Sequence, residues 1–184
     1  MTPRHTLSAA VLLCGTAVPV AAQSSASGGT LSDSAKTAYV ALFVGLRDSL
    51  DLVAARTTEF RRDLRTVGDG TVVDRSGRLA MACTGARAAL LGARPDVDRA
   101  PVPARRSGAR DTLRTAMDDL VRALERDCTR GLGPRGSGRW ADSLRAWGPH
   151  RTAQLSRAIT MYHGAVSRFQ SAIGIRLPVG AARR

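Results

Sequence analysis

Apolar residues recur along most of this chain in alternating steps of three and four, which is the spacing of one face of an α-helix. The first such stripe consists of Tyr39, Phe43, Leu46, Leu50, Val53, Thr57, Phe60, Leu64 and Val67. Thr57 is its single polar member. No stretch alternates with the period of two that a half-buried strand requires. The pattern therefore predicts helices and no sheet.

Three further stripes follow, separated by turns. The second is Val72, Ser76, Leu79, Cys83, Ala86 and Leu90, and the third is Leu113, Met117, Leu120, Leu124 and Cys128. The fourth is Trp140, Leu144 and Trp147, then Leu155, Ile159, Tyr162, Val166, Phe169 and Ile173. Four stripes joined by turns predict an all-α fold, an antiparallel up-and-down four-helix bundle over residues 33–176 with a long first helix.

Prolines mark two expected interruptions of the helices. Residues 94–108 contain Pro95, Pro101 and Pro103 among several charges, which predicts a long exposed connection between helices 2 and 3. Pro149 follows a glycine, and it fits the first turn of a new helix better than a helix interior. We therefore expect a break at Pro149.

The first 22 residues have the plan of a secretory signal peptide. Arg4 and His5 precede an apolar run over residues 7–20, and small residues end at Ala22. The run is shorter than the roughly 20 residues of a membrane-spanning helix. We expect cleavage after Ala22, a bacterial protein that is periplasmic or secreted, and no transmembrane segment after cleavage.

Two short segments flank the predicted bundle. Residues 23–32 are small and polar, which is typical of a flexible linker. Either Ser32 or Asp33 is expected to cap the first helix. Residues 177–184 form a basic C-terminal tail.

Cys83 and Cys128 remain after signal cleavage, and each lies on the apolar stripe of its own helix. In an exported protein this favours a disulfide, which would close a loop with 44 residues between the cysteines. The alternative is two buried free thiols. If helix 2 ends near residue 94, Cys83 and Cys128 lie at different distances from the connection between helices 2 and 3. They can then meet only if the proline-rich connection runs roughly 15 Å along the bundle axis before helix 3 begins.

The sequence offers no evident metal, cofactor or catalytic site. His150 and His163 point away from each other on a helix, and neither Glu59 nor Glu125 is followed by a His three residues later. The glycines around Ser137 lack the spacing of a nucleophile elbow or a phosphate loop. We therefore expect no cofactor and no enzymatic activity.

The neighbouring carboxylates Asp118 and Asp119 point in different directions on a helix. We expect them on a solvated face, with Arg122 as the surface partner of Asp118, and not as a catalytic dyad.

The chain is strongly basic, with 28 Lys and Arg against 15 Asp and Glu. Arginines cluster around the connection between helices 2 and 3 (Arg94, Arg99, Arg105, Arg106 and Arg110) and around the following turn (Arg126, Arg130, Arg135 and Arg139). The first set predicts a surface for an anionic envelope component or an acidic protein. Nucleic acid is disfavoured, because few aromatic residues accompany the arginines. The alternative is a solvated basic surface without a partner.

Two further features bear on function. Trp140 and Trp147 lie seven residues apart on one helical face, where they either close the core or anchor a partner. Small residues in helices 2 and 3 leave room for a ligand: Ala80, Ala86, Ala89 and Ala116. The sequence thus favours a binding module that acts through a basic surface. The alternative function is a carrier that holds a small apolar ligand or cofactor between the helices. It leaves the oligomeric state open.

Overall fold

The computed structural model describes residues 31–133 and 139–177, and every regular element in these ranges is helical. Four long helices are α1 (Asp33–Asp63), α2 (Asp69–Arg99), α3 (Gly108–Ala123) and α4 (Trp140–Ile173). A short 3-10 turn, Ala104–Arg106, precedes α3, which continues as a π-helical segment, Leu124–Thr129, and a last turn, Arg130–Leu132. No helix in the described ranges has the length and apolar character needed to cross a membrane.

Several sequence predictions fall on residues that the structure does not describe. These are the signal peptide, residues 23–30 of the linker, Arg135, the glycines around Ser137 and all but the first residue of the tail.

The start of α1 agrees with its predicted cap. The Ser32 hydroxyl accepts a hydrogen bond from the Ala35 backbone N–H at 3.3 Å. This satisfies one of the N–H groups that the first turn leaves without a helical partner. Leu31, assigned to the linker from the sequence, is buried against the core, so packing begins one residue before the cap.

The predicted stripes form the hydrophobic core. Every stripe residue of α2 and α3 is buried, and so is the α1 stripe from Tyr39 to Leu64, with Val67 half-buried beyond it. Phe43 of α1 meets Phe169 of α4 edge to face, with ring centroids 5.8 Å apart. The core therefore contains contacts between the first and last helices, in addition to contacts between helices that follow each other in the sequence.

Contacts at both ends show that α1 and α2 are antiparallel. Near the start of α1, the Tyr39 hydroxyl donates to the Asp96 carbonyl near the end of α2, at 3.1 Å. Near the end of α1, the Asp63 carboxylate accepts from Arg75 in the second turn of α2, at 3.0 Å.

Helices α3 and α4 also run antiparallel. Arg106, just before α3, donates to the Ser171 carbonyl near the end of α4, at 2.8 Å. Asp127, beyond the other end of α3, lies 3.4 Å from the guanidinium of Arg151 in the first half of α4.

The prediction of an exposed connection over residues 94–108 is wrong for its first part. α2 continues through Pro95 and ends at Arg99. A proline inside a helix removes one backbone hydrogen bond and is unfavourable by about 3 kcal/mol. Val97 is completely buried beyond it, so the apolar stripe carries on and favours the helical path. The connection is confined to residues 100–107.

The longer α2 brings the two cysteines level. Cys83 lies 16 residues before the end of α2, and Cys128 lies 20 residues after the start of α3. The axial offset falls to roughly 6 Å, at about 1.5 Å per residue. The Sγ atoms are 2.01 Å apart and the Cα atoms 6.2 Å apart, so the structure places the pair at bonding distance.

Pro149 does not begin a new helix, which is a second correction. α4 runs unbroken from Trp140 to Ile173 over 34 residues, and α1, which was predicted to be long, has 31. The neighbouring Gly148 packs on the ring of Phe60, where a Cβ would lie 3.2 Å from two ring carbons. The buried Thr152 hydroxyl lies 3.0 Å from the carbonyls of Gly148 and Pro149 and bonds back to this turn.

Removing both cysteines as Cys83→Ala/Cys128→Ala is expected to lower the free energy of unfolding by up to about 4 kcal/mol, because the unfolded chain loses a crosslink over a separation of 45 residues. Urea unfolding measures the change, and mass spectrometry with and without reductant establishes that the parent protein is oxidised. The parent protein in reductant serves as the control and should unfold like the variant. Identical unfolding curves with and without reductant would contradict the crosslink.

Gly148→Ala is expected to destabilise the protein by about 1–3 kcal/mol, since the added methyl would lie 3.2 Å from two carbons of the buried Phe60 ring, which would have to shift within the packed core. Gly164→Ala in the same helix is the matched control, because nothing lies within 4 Å of its Cβ position. That change should stabilise by about 0.5–1 kcal/mol through helix propensity. Thermal unfolding compares the two variants, and equal effects would rule out the proposed contact.

Candidate functional site

Two of the arginines predicted to face an anionic partner are already paired with carboxylates. The guanidinium of Arg94 binds both carboxylate oxygens of Asp118 on α3, at 2.5 and 3.1 Å. Arg99 binds the carboxylate of Asp96, one turn earlier, at 2.9 Å. Bidentate pairing holds the first of these side chains against α3. Both lie on α2 and are locally neutralised.

The prediction that Arg122 pairs with Asp118 is wrong. Arg122 binds Asp119, and Asp118 is taken by Arg94 across the interface between α2 and α3. Each of these two carboxylates therefore has its own arginine, and both contribute to ion pairs on the helix surfaces.

The other three predicted arginines form no ion pair with a carboxylate of the described residues. Arg106 donates to the Ser171 carbonyl, and Arg110 donates to the Ala100 carbonyl. Arg105 is exposed. Carbonyl groups accept hydrogen bonds without cancelling a full charge, so these guanidinium groups remain a concentration of positive charge.

A fourth arginine joins this group from α4. Arg168 is exposed, and among the described residues it forms no ion pair with a carboxylate. We call Arg105, Arg106, Arg110 and Arg168 the basic end, since they lie where α3 begins and α4 approaches its last turns.

An open pocket lies within the basic end, between the start of α3 and the last turns of α4. Its volume is about 560 Å³. Its polar side chains are Arg105, Arg106, Thr112, Ser167, Arg168 and Ser171, and we call it the basic pocket. Gly108 and Ala109 of the first turn of α3 also line it. It has room for a small ligand and not only for an ion.

The second predicted arginine cluster is largely neutralised where the structure describes it. Arg126 binds the adjacent Asp127 through two nitrogens, at 3.1 and 2.8 Å, and Arg130 binds Glu125 at 2.7 Å. The Asp127 side chain is almost fully buried and also lies near Arg151. This arrangement stabilises the junction of α3 with α4.

The tryptophans form one edge-to-face pair at this same junction. The ring centroids of Trp140 and Trp147 lie 5.3 Å apart. Trp140 is buried and Trp147 is half-buried, with the guanidinium of Arg151 lying 4.8 Å from the Trp147 ring centroid. This geometry favours closure of the core over an exposed anchor.

A groove of about 390 Å³ lies between α1 and α2. Apolar side chains dominate its lining, among them Leu52, Met81 and Ala86, and Met81 is 68% exposed. Of the small residues expected to leave room, Ala86 lines this groove, whereas Ala80 and Ala116 are buried in helix contacts.

At the far end from the basic pocket, carboxylates of α1 meet arginines of both α1 and α2. Asp63 is almost fully buried, and its hydrogen bond from Arg62, reinforced by Arg75, holds the pKa of this carboxyl below its ordinary value. The exposed Arg61 and Arg65 nearby form no ion pair with any described residue.

The described residues include no group of three or more His, Cys, Asp or Glu side chains that would hold a metal ion. Both histidines of the described ranges are exposed, at separate places on α4. His150 lies 3.4 Å from the amide of Gln154, and His163 packs beside the Tyr162 ring.

The phenol of Tyr162 is a buried titratable group. Its side chain is 2% exposed, and its hydroxyl has no hydrogen-bond partner among the described residues. Burial raises the pKa of this hydroxyl well above its ordinary value, because the phenolate would lose its hydration. The neutral phenol is therefore an unpaired polar group within the core.

Tyr162→Phe is expected to raise the free energy of unfolding at pH 7 by up to about 1 kcal/mol, since it removes an unpaired buried hydroxyl. The folded protein keeps this phenol neutral, so its ionisation in the unfolded chain lowers stability as pH rises past about 10. The variant should lose that part of the alkaline destabilisation. Urea unfolding at about pH 7 and pH 11 measures both effects.

Tyr39→Phe is the matched control, because the Tyr39 hydroxyl donates to the Asp96 carbonyl. Loss of that bond should destabilise by about 1 kcal/mol. A destabilised Tyr162→Phe variant would show that its hydroxyl is bonded.

Comparison of the chain with protein-family models, with curated proteins and with solved structures finds no match.

Proposed function

We propose that this protein is exported with cleavage of residues 1–22, folds as an antiparallel up-and-down four-helix bundle, and binds an anionic component of the bacterial envelope through its basic end. It acts without catalysis, in the periplasm or after secretion. Antiparallel contacts between successive helices support the bundle arrangement. A cysteine pair at bonding distance supports an oxidising compartment.

The observation that carries the binding proposal is the uneven pairing of the arginines. Arg94 and Arg99 on α2 each bind an aspartate. Arg105, Arg106 and Arg168 bind no carboxylate of the described residues, and all three line one pocket. Concentrated positive charge at a concave surface attracts anions and raises their local concentration.

The favoured partner is an anionic head group or polymer of the envelope, or an acidic protein, and not nucleic acid. Binding of single-stranded nucleic acid usually combines arginines with exposed aromatic rings that stack on bases. Trp140 and Trp147 lie where α3 ends and α4 begins, away from the basic end, and Trp140 is buried.

Vesicle flotation tests this proposal with protein purified from the periplasm of an expressing bacterium. The protein should associate with vesicles containing phosphatidylglycerol and not with vesicles of phosphatidylcholine alone. Raising the salt from about 0.05 M to about 0.5 M should release it, since screening shortens the range of the attraction. Arg105→Ala/Arg168→Ala should weaken association about tenfold or more, since an arginine near an anionic surface contributes about 1 kcal/mol.

Arg61→Ala/Arg65→Ala is the matched control. It removes the same charge from two exposed side chains that also form no ion pair with the described residues, at the far end of α1. This variant should bind almost as well as the parent. Equal losses in both double variants would assign binding to net charge alone, and association with neutral vesicles would contradict an electrostatic mechanism.

A second candidate function is a carrier for a small apolar ligand, which the groove between α1 and α2 favours. Its lining is mainly apolar, and the flexible side chain of Met81 borders it. Native mass spectrometry should then show a co-purifying mass that is lost on denaturation. Gly85→Leu fills this groove, since nothing lies within 4 Å of the Gly85 Cβ position, and it should abolish the adduct.

A further inference from the structure

We propose that the basic pocket binds a phosphorylated sugar or related polyol phosphate. This inference rests on the proposed function, because it names the chemistry that the basic end would recognise. Three features of the pocket point to this ligand: guanidinium donors without a carboxylate, hydroxyl groups that are left as acceptors, and a volume larger than a phosphate ion needs.

The guanidinium groups supply the phosphate contacts. Among the described residues, no carboxylate pairs with Arg105, Arg106 or Arg168, so their charge is available to a ligand. Arg106 lines the pocket and is held by its bond to the Ser171 carbonyl. A planar guanidinium matches two oxygens of a phosphate at once. Gly108 lines the same pocket at the start of α3.

Two of the three hydroxyl groups of the pocket already donate their protons within α3 and α4 and are left as acceptors. Thr112 donates its hydroxyl proton to the Gly108 carbonyl at 2.7 Å, and Ser171 donates to the Ser167 carbonyl at 3.0 Å. A hydroxyl has one proton and two lone pairs, so these oxygens remain acceptors. The phosphoryl group of a phosphomonoester dianion has no proton to donate to them, and inorganic phosphate near neutral pH can donate only from its own P–OH. A sugar offers several further hydroxyl donors on the carbon skeleton beside the phosphate.

The size of the pocket agrees with this division of roles. Its volume is about 560 Å³. A phosphate ion is only a few times larger than a water molecule, whose share of the liquid is about 30 Å³. The pocket is open to solvent, and it has room for the sugar of a phosphorylated sugar beside an anionic group held by the arginines.

Isothermal titration with glucose 1-phosphate, glucose and inorganic phosphate tests the inference on the periplasmically purified protein. Glucose 1-phosphate should bind at least about tenfold more tightly than inorganic phosphate, and glucose should not bind measurably. Flotation with phosphatidylinositol and phosphatidylglycerol vesicles of equal charge then separates the two sources of the chemistry. Preference for phosphatidylinositol indicates a lipid-linked polyol phosphate, and binding of glucose 1-phosphate without vesicle preference indicates a soluble one.

Two variants separate the hydroxyl acceptors from the charge. Thr112→Val/Ser171→Ala leaves the charge unchanged and should weaken glucose 1-phosphate about fivefold or more, with little effect on inorganic phosphate. Thr115→Val is the control, since Thr115 is an exposed threonine of α3 outside the pocket lining. Circular dichroism establishes that each variant is folded.

The outcomes distinguish failure of this inference from failure of the proposed function. Equal affinity for inorganic phosphate and glucose 1-phosphate, with salt-sensitive binding to both anionic vesicles, overturns the polyol ligand and leaves the envelope-binding proposal standing. Tight glucose 1-phosphate binding without any vesicle association supports the pocket and overturns the anionic lipid surface as partner. If the protein binds neither glucose 1-phosphate nor anionic vesicles, the polyol phosphate ligand and the envelope-binding proposal are both overturned.

Discussion

The contact between Cys83 and Cys128 sets the register on which the other helix contacts depend. α2 lies against α1 on one side and, on the other, against α3 and its π-helical continuation, where Cys128 contacts Cys83. The Arg94–Asp118 pair continues the same antiparallel register toward the start of α3. On its other side, the start of α3 lies beside the last turns of α4, as the bond from Arg106 to the Ser171 carbonyl shows, and the basic pocket forms there.

Much of the helical core could be predicted from the sequence, because burial alone dictates a spacing of three and four. The positions at which the helices end could not be predicted from the sequence. Pro95 and Pro149 each remove one helical hydrogen bond, which is a local effect, whereas the burial of Val97 and the close approach of Gly148 to Phe60 depend on neighbouring helices. Tertiary contacts outweighed the local preference at both positions. The π-helical segment around Cys128 left no periodic signal that would have distinguished it from an α-helix.

The candidate site was predictable only in part, for a related reason. Arg105 and Arg106 stand out because they are adjacent in the sequence, but Arg168 lies more than 60 residues later and reaches them only through the packing of α4 on α3. The available signal was its place outside the apolar stripe that contains Val166 and Phe169. The ion pair of Arg94 with Asp118 could not be predicted from the sequence either, since Asp118 is 24 residues away and belongs to another helix.

Because arginines outnumber aspartates and glutamates, some guanidinium groups must lack a carboxylate partner. The places where these unpaired groups lie are therefore more informative about function than their number. Where arginines lie at helix interfaces, aspartate and glutamate meet them, as Asp63 meets Arg75 and Asp127 meets Arg151. At the basic pocket three guanidinium groups face one open volume, and they repel one another there. The anion that we propose for this pocket would relieve this repulsion and would bind only the folded arrangement. Binding and folding are then thermodynamically linked, and ligand affinity adds directly to the stability of the helix packing.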